Sequence, residues 1–157
     1  MKAYLGLLQS VSRKAVLLNR AQSGEALVPE QSSFKVSALV EEVELLASGM
    51  PSQPAVRVDV GADPAISASI ISADRGWLVM MLVNLLSNAF KHVRRGSVSV
   101  RISTDDAGRL RLAVADTGSG VPESLRPRLF TRYAQASQFR FGTGLGLYHV
   151  HQIVRYV

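Results

Sequence analysis

The chain has 157 residues, of which 47% are hydrophobic, and this length and composition are typical of one globular domain. It contains no cysteine, so disulfides and thiolate metal sites are excluded, and its three scattered histidines make a poor metal site. The formal net charge of +6 is compatible with DNA, acidic lipid or a polyphosphate as a partner, because charge alone does not choose between them.

The N-terminal segment does not predict a secretory signal. The apolar run over residues 3–8 gives way to polar residues that include Arg13 and Lys14. No stretch reaches the roughly 18 to 20 apolar residues that a membrane-spanning helix needs. We therefore expect a soluble, cytoplasmic piece, and the same expectation holds if it was cut from a membrane sensor.

The first predicted element is a helix over residues 4–18. Apolar side chains recur along it at spacings of four, three, four and three, namely Tyr4, Leu8, Val11, Ala15 and Leu18. This stripe is typical of a helix that packs along another helix. Gly24 and Pro29 then indicate a break, which divides the chain into an N-terminal helix within residues 1–30 and a second unit over residues 31–157.

A second helix and two strands are predicted next. Residues 37–47 have the pattern of a helix, with Ser33 or Ser37 as its N-cap. Valines alternate with charged residues over 56–60, as in a half-buried strand, and residues 66–71 predict a second short strand.

The middle of the sequence predicts a long helix followed by a hairpin. Asp74 opens an apolar-rich helix that runs to about His92. Residues 97–103 and 109–115 alternate as two strands, and the short polar turn between them predicts a β-hairpin.

The last quarter of the sequence predicts a glycine-rich loop and a final helix. The loop spans residues 116–146, with a short helical piece near 127–133, and the helix covers about 145–156. A loop of this length inside a compact domain commonly binds a ligand.

Asp116 opens the first motif, Asp-Thr-Gly-Ser-Gly, which directly follows a predicted strand. Its carboxylate is therefore expected at the strand end, where it can accept a hydrogen bond from an amine. Gly118 and Gly120 let the backbone approach a ligand closely. The alternative is an ordinary Asp-Gly turn that binds nothing.

The second motif, Gly-Thr-Gly-Leu-Gly, covers residues 142–146 and leads into the last helix. Free backbone N–H groups at a glycine-rich helix start favour phosphate binding. The motif lacks the lysine and hydroxyl of a Walker A loop, and no strand precedes it as in a dinucleotide fingerprint. A glycine-rich helix start without a ligand is the alternative.

The third motif lies on the long helix, where Asn84, Asn88 and Lys91 share one face because they are four and three residues apart. Two amides and an ammonium are costly to bury unless they are paired or bind something. An amide oxygen suits Mg²⁺, and Lys91 can pair with a phosphate. Capping or solvated polar residues are the alternative.

Together, in this order and context, the three segments resemble the N, G1 and G2 boxes of the histidine kinase ATPase family, within the superfamily that includes gyrase and heat-shock chaperones. Residues 129–133, Leu-Phe-Thr-Arg-Tyr, resemble the family's F box. The resemblance covers about Phe34 to the end, and residues 1–30 look like the second helix of a dimerisation hairpin.

This resemblance implies a fold. It is the Bergerat-type α/β (α+β) two-layer sandwich, with a mixed, mostly antiparallel sheet and helices on one face. The family's C-terminal strands are expected to be missing from this chain.

The resemblance also implies a ligand for each motif. Asp116 would take the adenine amino group, in a pocket shaped by Gly118 and Gly120. Asn88 would ligate Mg²⁺ between the phosphates, and Lys91 would contact phosphate. The other residues assigned to ATP binding are Asn84, His92, Phe130, Arg140, Gly142, Thr143, Gly144, Leu145 and Gly146.

Position 84 separates the branches of the superfamily. The gyrase, chaperone and serine-kinase relatives carry a general-base glutamate four residues before the metal-binding asparagine, where this chain has Asn84. An amide cannot take a proton from water, so hydrolysis is disfavoured and the phosphoryl group is reserved for a protein acceptor.

The implied function is the ATP- and Mg²⁺-dependent catalytic domain of a histidine kinase in two-component signalling. No histidine stands in an acceptor context, so no catalytic residue is assigned and the chain alone is expected to be inactive. The expected partners are a phosphoacceptor hairpin, a response regulator receiver domain and, through the N-terminal helix, a second copy of the chain.

Two rival functions stay open. One is a non-catalytic nucleotide-binding or scaffolding module derived from the family. The other is a basic nucleic-acid-binding domain, which is disfavoured because a helix-turn-helix and an interleaved aromatic platform are lacking. Nucleic acid is therefore not an expected partner.

Overall fold

The computed structural model describes residues 2–21, 28–134 and 144–155. In chain order its elements are α1 (Lys2–Ala21), β1 (Ser32–Lys35), α2 (Val36–Gly49), β2 (Val56–Ala62), α3 (Pro64–Ser67), β3 (Ile70–Ala73), α4 (Arg75–His92), β4 (Gly96–Thr104), β5 (Leu110–Asp116), a 3₁₀ helix (Glu123–Arg128) and α5 (Gly146–Ile153).

Helix α1 packs on α4, α2 and α5. Leu18 is buried in this contact, and Ala15 packs against the same core. Two positions of the predicted apolar stripe therefore contact the chain's own core. Other residues named for this helix or for the break after it lie outside the described set, namely the side chains of Tyr4, Leu8 and Val11 and the whole of Gly24.

The start of α2 differs from the sequence prediction. Ser33 lies inside β1, which the sequence did not predict, and Ser37 lies inside the helix, so neither caps it. The N-cap position is Lys35, which makes no capping hydrogen bond through its side chain. The Val36 N–H instead donates to the Ser69 carbonyl at 3.0 Å, so the residue before β3 accepts one of the free N–H groups of the first turn.

The strand predicted over residues 66–71 was wrong in its bounds. The Asp63 carboxylate accepts the Ala65 N–H at 2.9 Å, and Pro64 occupies the first helical turn, so a short helix, α3, forms there. The strand, β3, begins only at Ile70 and pairs antiparallel with β1 in a two-stranded sheet.

A second sheet has three strands in the order β2-β4-β5. Strand β2 runs parallel to β4, and β4 pairs antiparallel with β5, which confirms the predicted hairpin. Val98, Val100 and Ile102 on the central strand are fully buried. The two sheets therefore have the predicted mixed, mostly antiparallel character.

Helix α4 is the centre of the core and begins where the sequence predicted, at an Asp74 N-cap whose carboxylate accepts the Trp77 N–H at 3.1 Å. It packs against α1, α2, α5 and the strands β4 and β5, while α2 packs on β2. Helices α2 and α4 thus cover the apolar face of the three-stranded sheet. The predicted two-layer α/β sandwich is confirmed.

The end of the chain also differs in its bounds. The helical piece expected near residues 127–133 is a 3₁₀ helix that begins at Glu123 and contains Pro127. The final helix, α5, is shorter than expected and ends at Ile153. Across the described ranges, no helix has the length and hydropathy to span a bilayer.

Candidate functional site

The polar face of α4 carries the first group of predicted site residues. Asn84 and Asn88 are half-buried and Lys91 is exposed, whereas Leu86 and Phe90 on the other side of the helix are buried. Within the described residues, neither Asn88 nor Lys91 has a hydrogen bond or an ion pair through its side chain. Both are thus available to a ligand.

Asn84 connects the middle of α4 to the start of α5. Its Nδ2 donates to the Met80 carbonyl at 2.9 Å, one helical turn earlier. Its Oδ1 faces Gly146, where a β-carbon would lie only 3.1 Å away. Glycine at the first position of α5 therefore lets the N-terminus of that helix approach α4 closely.

The last turn of α4 contacts the loop after β5 in the same way. A β-carbon on Gly118 would lie 2.8 Å from the His92 carbonyl oxygen, closer than real side chains come. Residue 118 must therefore be glycine for the loop to pack here. Gly120 follows with φ +73°, a backbone conformation that glycine adopts readily.

Asp116 is the last residue of β5 and its side chain is exposed. Its Oδ1 accepts the Gly118 N–H at 2.8 Å, which folds the chain into a tight turn. In the described part of the chain Asp116 makes no other side-chain hydrogen bond, so its second oxygen has no hydrogen-bond partner there. A single carboxylate oxygen is thus available at the strand end.

The chain segments before residue 135 and after residue 143 also meet. The Tyr133 N–H donates to the Gly144 carbonyl at 3.1 Å, and a β-carbon on Gly144 would lie 2.8 Å from the Tyr133 α-carbon. Gly144 has φ +68° and Tyr133 has φ 60°. This contact between Tyr133 and Gly144 holds the residues directly before α5, and so positions the N-terminus of that helix.

Comparison with known families matches residues 73–157 to the histidine kinase-, DNA gyrase B-, and HSP90-like ATPase family. The chain belongs to this ATPase family. The match begins at the strand that precedes α4 and includes the Asn84, Asp116 and Gly146 segments that the structure brings together.

The ATPase domain resembles sensor kinases among curated proteins. It is 40% identical over 128 residues to the sensor histidine kinase AruS of Pseudomonas aeruginosa, covering 76% of this chain and 13% of that protein. It is 32% identical over 149 residues to the sensory/regulatory protein RpfC of Xanthomonas campestris pv. campestris, covering 88% of this chain and 20% of that protein. The chain therefore spans a fifth or less of the length of these relatives.

Solved structures show the same architecture. Full-length ShkA, crystallised in complex with AMPPNP, superposes with a TM-score of 0.72 at 28% identity, over 97% of this chain and 30% of that one. The catalytic domain of the histidine kinase ThkA superposes with a TM-score of 0.64 at 23% identity, over 80% of this chain and 82% of that one, and this likeness shows the fold alone.

The histidines on α5 of the ATPase domain are held in packing contacts. His149 is buried at 8% exposure, and burial, followed by the nearby Arg132 charge, lowers the pKa of its imidazole. The His151 ring lies 5.7 Å from the Phe130 ring, centroid to centroid. Both histidines thus lie near residues of the segment that follows the 3₁₀ helix, namely Arg132 and Phe130.

Of the remaining predicted ATP-binding residues, the structure describes some and not others. Phe130 is exposed and packs on α5, and Leu145 precedes that helix, its carbonyl accepting the His149 N–H at 2.8 Å. Three predicted ATP-binding residues lie outside the described residues, namely Arg140, Gly142 and Thr143.

Two contacts at the site were missed by sequence reasoning. The Arg132 guanidinium lies over the Tyr148 ring, 5.1 Å from its centroid, and so joins the segment after the 3₁₀ helix to α5. The Thr117 hydroxyl contacts Ser97 at the start of β4. The two residues of each pair are far apart in sequence, so no local pattern predicts either contact.

Proposed function

We propose that the domain binds ATP with Mg²⁺ along the polar face of α4 and transfers the γ-phosphoryl group to a histidine on a separate phosphoacceptor hairpin. The observation that carries the proposal is the pair of glycine contacts on α4. Gly118 packs on the His92 carbonyl and Gly146 on the Asn84 amide, so the three motif segments border one face. The family match and the AMPPNP complex of ShkA support it.

The adenine end of the ligand is assigned to the turn after β5. The free oxygen of the Asp116 carboxylate would accept a hydrogen bond from the exocyclic amine. Gly118 leaves no side chain between the turn and α4, and His92 lies at the adjoining end of that helix. A flat base fits such a surface because the backbone itself forms one wall.

The phosphate end is assigned to Lys91, Asn88 and the start of α5. Lys91 is an exposed ammonium, and Gly146 brings the positive end of a helix toward Asn84 on the same face. Anionic phosphates between these groups would gain both interactions. The charge pattern thus favours a nucleotide lying along α4.

The residues also fit a metal ion carried by the nucleotide. Within the described ranges no group of three or more His, Asp or Glu side chains is placed to hold a metal. We assign one protein ligand, the Asn88 amide oxygen, and the other ligands to phosphate and water oxygens. Bound Mg²⁺ would neutralise charge on the phosphates.

Asn84 favours a protein side chain over water as the group that receives the phosphoryl. The amide cannot remove a proton from water, so this position does not activate a hydrolytic attack. In the proposed transfer an imidazole nitrogen of the acceptor bonds to the γ-phosphorus while the bond to the bridging oxygen breaks, and ADP leaves with that electron pair.

We place the domain in the cytoplasm, beside a response regulator receiver domain and a second copy of the same kinase. The sensor-kinase names of the relatives support this setting. Helix α1 supports the second copy, because apolar residues remain exposed on it, with Leu5 at 57%, Val16 at 51% and Leu17 at 37%. We assign these side chains to the dimerisation contact.

Titration calorimetry with Mg-ATP and ADP tests the binding half of this proposal. We expect dissociation constants in the micromolar to millimolar range and weaker adenine binding for Asp116→Asn. The transfer half is tested by adding an acceptor hairpin with its histidine intact, with a histidine-to-alanine hairpin as the control. Acid-labile phosphate on the intact hairpin alone is the expected result.

Each alternative outcome identifies a different function. Nucleotide binding without transfer would favour the non-catalytic module, and steady ATP turnover without an acceptor would favour the hydrolytic branch. No binding at millimolar nucleotide to the folded chain would overturn the proposal. DNA binding that is unaffected by ATP would favour the nucleic-acid alternative.

A further inference from the structure

Thr117 lies immediately after β5 and contacts Ser97 at the start of β4 through both its backbone and its side chain. The Thr117 N–H donates to the Ser97 carbonyl at 3.1 Å. In return the Thr117 Oγ1 accepts the Ser97 N–H at 2.9 Å and also lies 3.4 Å from the Ser97 carbonyl.

This pairing continues the β4–β5 ladder by one residue through a side chain. The backbone register ends at Val98 opposite Asp116, so Ser97 and Thr117 would form the next pair. In a regular antiparallel pair of this type the two residues exchange two backbone N–H···O bonds. Here the Ser97 N–H donates to the Thr117 hydroxyl instead of to the Thr117 carbonyl. The chain can therefore turn away from β4 after Asp116 while the Ser97 N–H keeps a hydrogen bond.

Gly96 provides the room for this hydroxyl. A β-carbon on Gly96 would lie 2.0 Å from the Thr117 Oγ1, and Gly96 has φ +125°. A side chain at residue 96 is therefore incompatible with the hydroxyl in its present place. Gly96 and Thr117 thus form one structural unit at this end of the hairpin, which we call the Gly96–Thr117 contact.

The Gly96–Thr117 contact lies directly beside Asp116. Asp116 is paired with Val98 on one side, and on the other its carboxylate accepts the Gly118 N–H at 2.8 Å. Thr117 lies between these two contacts, and the Ser97 N–H holds its hydroxyl.

We propose that Thr117 is a positioning residue whose hydroxyl holds the Asp116 carboxylate in the orientation that reads the exocyclic amine of adenine. This inference rests on the proposed function, in which Asp116 contacts that amine. It predicts an effect on the choice of base that a purely structural role of Thr117 would not produce.

The experiment compares two nucleotides that differ at this amine. ADP carries it, and inosine diphosphate has an oxygen in its place. Thr117→Ala removes the hydroxyl without adding bulk, and Thr117→Ser keeps it. Calorimetry on the full chain gives both affinities for each variant, and thermal unfolding checks that each variant is folded.

We expect Thr117→Ala to bind ADP about five- to tenfold more weakly, because one well-aligned hydrogen bond is lost. Its affinity for inosine diphosphate should stay within about twofold of the wild type. Thr117→Ser should restore the ADP preference. The Asp116→Ala variant lacks the carboxylate that reads the amine. Adding Thr117→Ala to it should therefore cause no further change in the preference for ADP over inosine diphosphate.

Equal losses for both nucleotides, or an unchanged ADP preference in Thr117→Ala, would overturn the positioning role while leaving the proposed function intact. A wild type that binds both nucleotides equally would instead overturn the assignment of Asp116 to the amine, and the role of Thr117 with it.

Discussion

The two ends of helix α4 lie in opposite environments. At its N-terminus the Asp74 carboxylate is buried and accepts hydrogen bonds from Trp77 and from the Lys14 ammonium. Near its C-terminus Asn88 is half-buried and Lys91 is exposed. The first turn of α4 thus carries a buried ionic contact, and its last turns carry the polar side chains that we assign to the nucleotide.

The N-terminal end is held by a compact ionic cluster. The Lys14 Nζ lies 2.7 Å from Asp74 and 3.0 Å from Glu30, whose backbone N–H also donates to Asp74 at 2.7 Å. Burial alone lowers the pKa of Lys14, but the bonds to Asp74 and Glu30 outweigh it, and the pKa lies above its ordinary value. This attraction is fully present below pH 10.5 and is lost as the pH rises through the raised pKa.

The largest expected effect comes from breaking this cluster. Asp74→Ala removes the helix cap and leaves the buried Lys14 ammonium without its main partner. We expect it to lower the free energy of unfolding by about 3–5 kcal/mol, measured by urea denaturation.

The matched control is Asp59→Ala, which breaks the exposed ion pair with Arg101 and should cost less than about 1 kcal/mol. Lys14→Met is a milder variant because Asp74 keeps the Trp77 N–H. Similar losses at Asp74 and Asp59 would show that burial of the cluster does not matter.

At the other end, Gly118→Ala should act on binding more than on stability. Its β-carbon would lie 2.8 Å from the His92 carbonyl, so the turn must move away from α4. We expect about thirtyfold weaker ADP binding, or ~2 kcal/mol, by calorimetry. Gly6→Ala on α1, where a β-carbon meets nothing within 4 Å, is the control and should leave ADP binding unchanged.

Lys91→Ala is expected to have a smaller and more selective effect. It should weaken ATP binding about tenfold and leave adenosine binding nearly unchanged, because the ammonium is assigned to phosphate. Its free energy of unfolding should change by less than about 0.5 kcal/mol. Arg94→Ala removes an exposed cation just past the helix and serves as the control; equal losses for ATP and adenosine would contradict the assignment of Lys91.

The smallest expected effect is a pH dependence at α5. The pKa of His149 is lowered by burial and by Arg132, so the unfolded chain takes up this proton more readily than the folded one. Stability should therefore fall as the pH drops below 6.5 and through the lowered pKa. His149→Leu should show a shallower decline between pH 7 and pH 5 in urea unfolding, and identical slopes would contradict this origin.

Elements with a local signal were predictable. The Asp74 cap and the apolar pattern after it announced α4, and alternation around a polar turn announced the β4–β5 hairpin. Gly118 and Gly146 were predicted as positions that face a ligand, and the structure adds that each lies close against α4.

Elements that depend on distant partners were not predictable. Strand β1 has four residues and a single buried side chain, Phe34, and it exists because β3 pairs with it. The first N–H of α2 donates to the backbone carbonyl of Ser69, far away in sequence, rather than to a serine side chain beside it. No sequence pattern indicated a partner for Lys14, because only the fold brings it to Asp74, 60 residues away.

The cluster at the N-terminus of α4 includes the single tryptophan of the chain. Trp77 is 2% exposed, and the Lys14 ammonium lies over its ring, 5.1 Å from the centroid. Indole emission depends on nearby charge and on access to water, so undocking of α1 would change both at once. The protein therefore carries its own fluorescent reporter of whether its first helix is attached to the ATPase domain, and no label needs to be introduced.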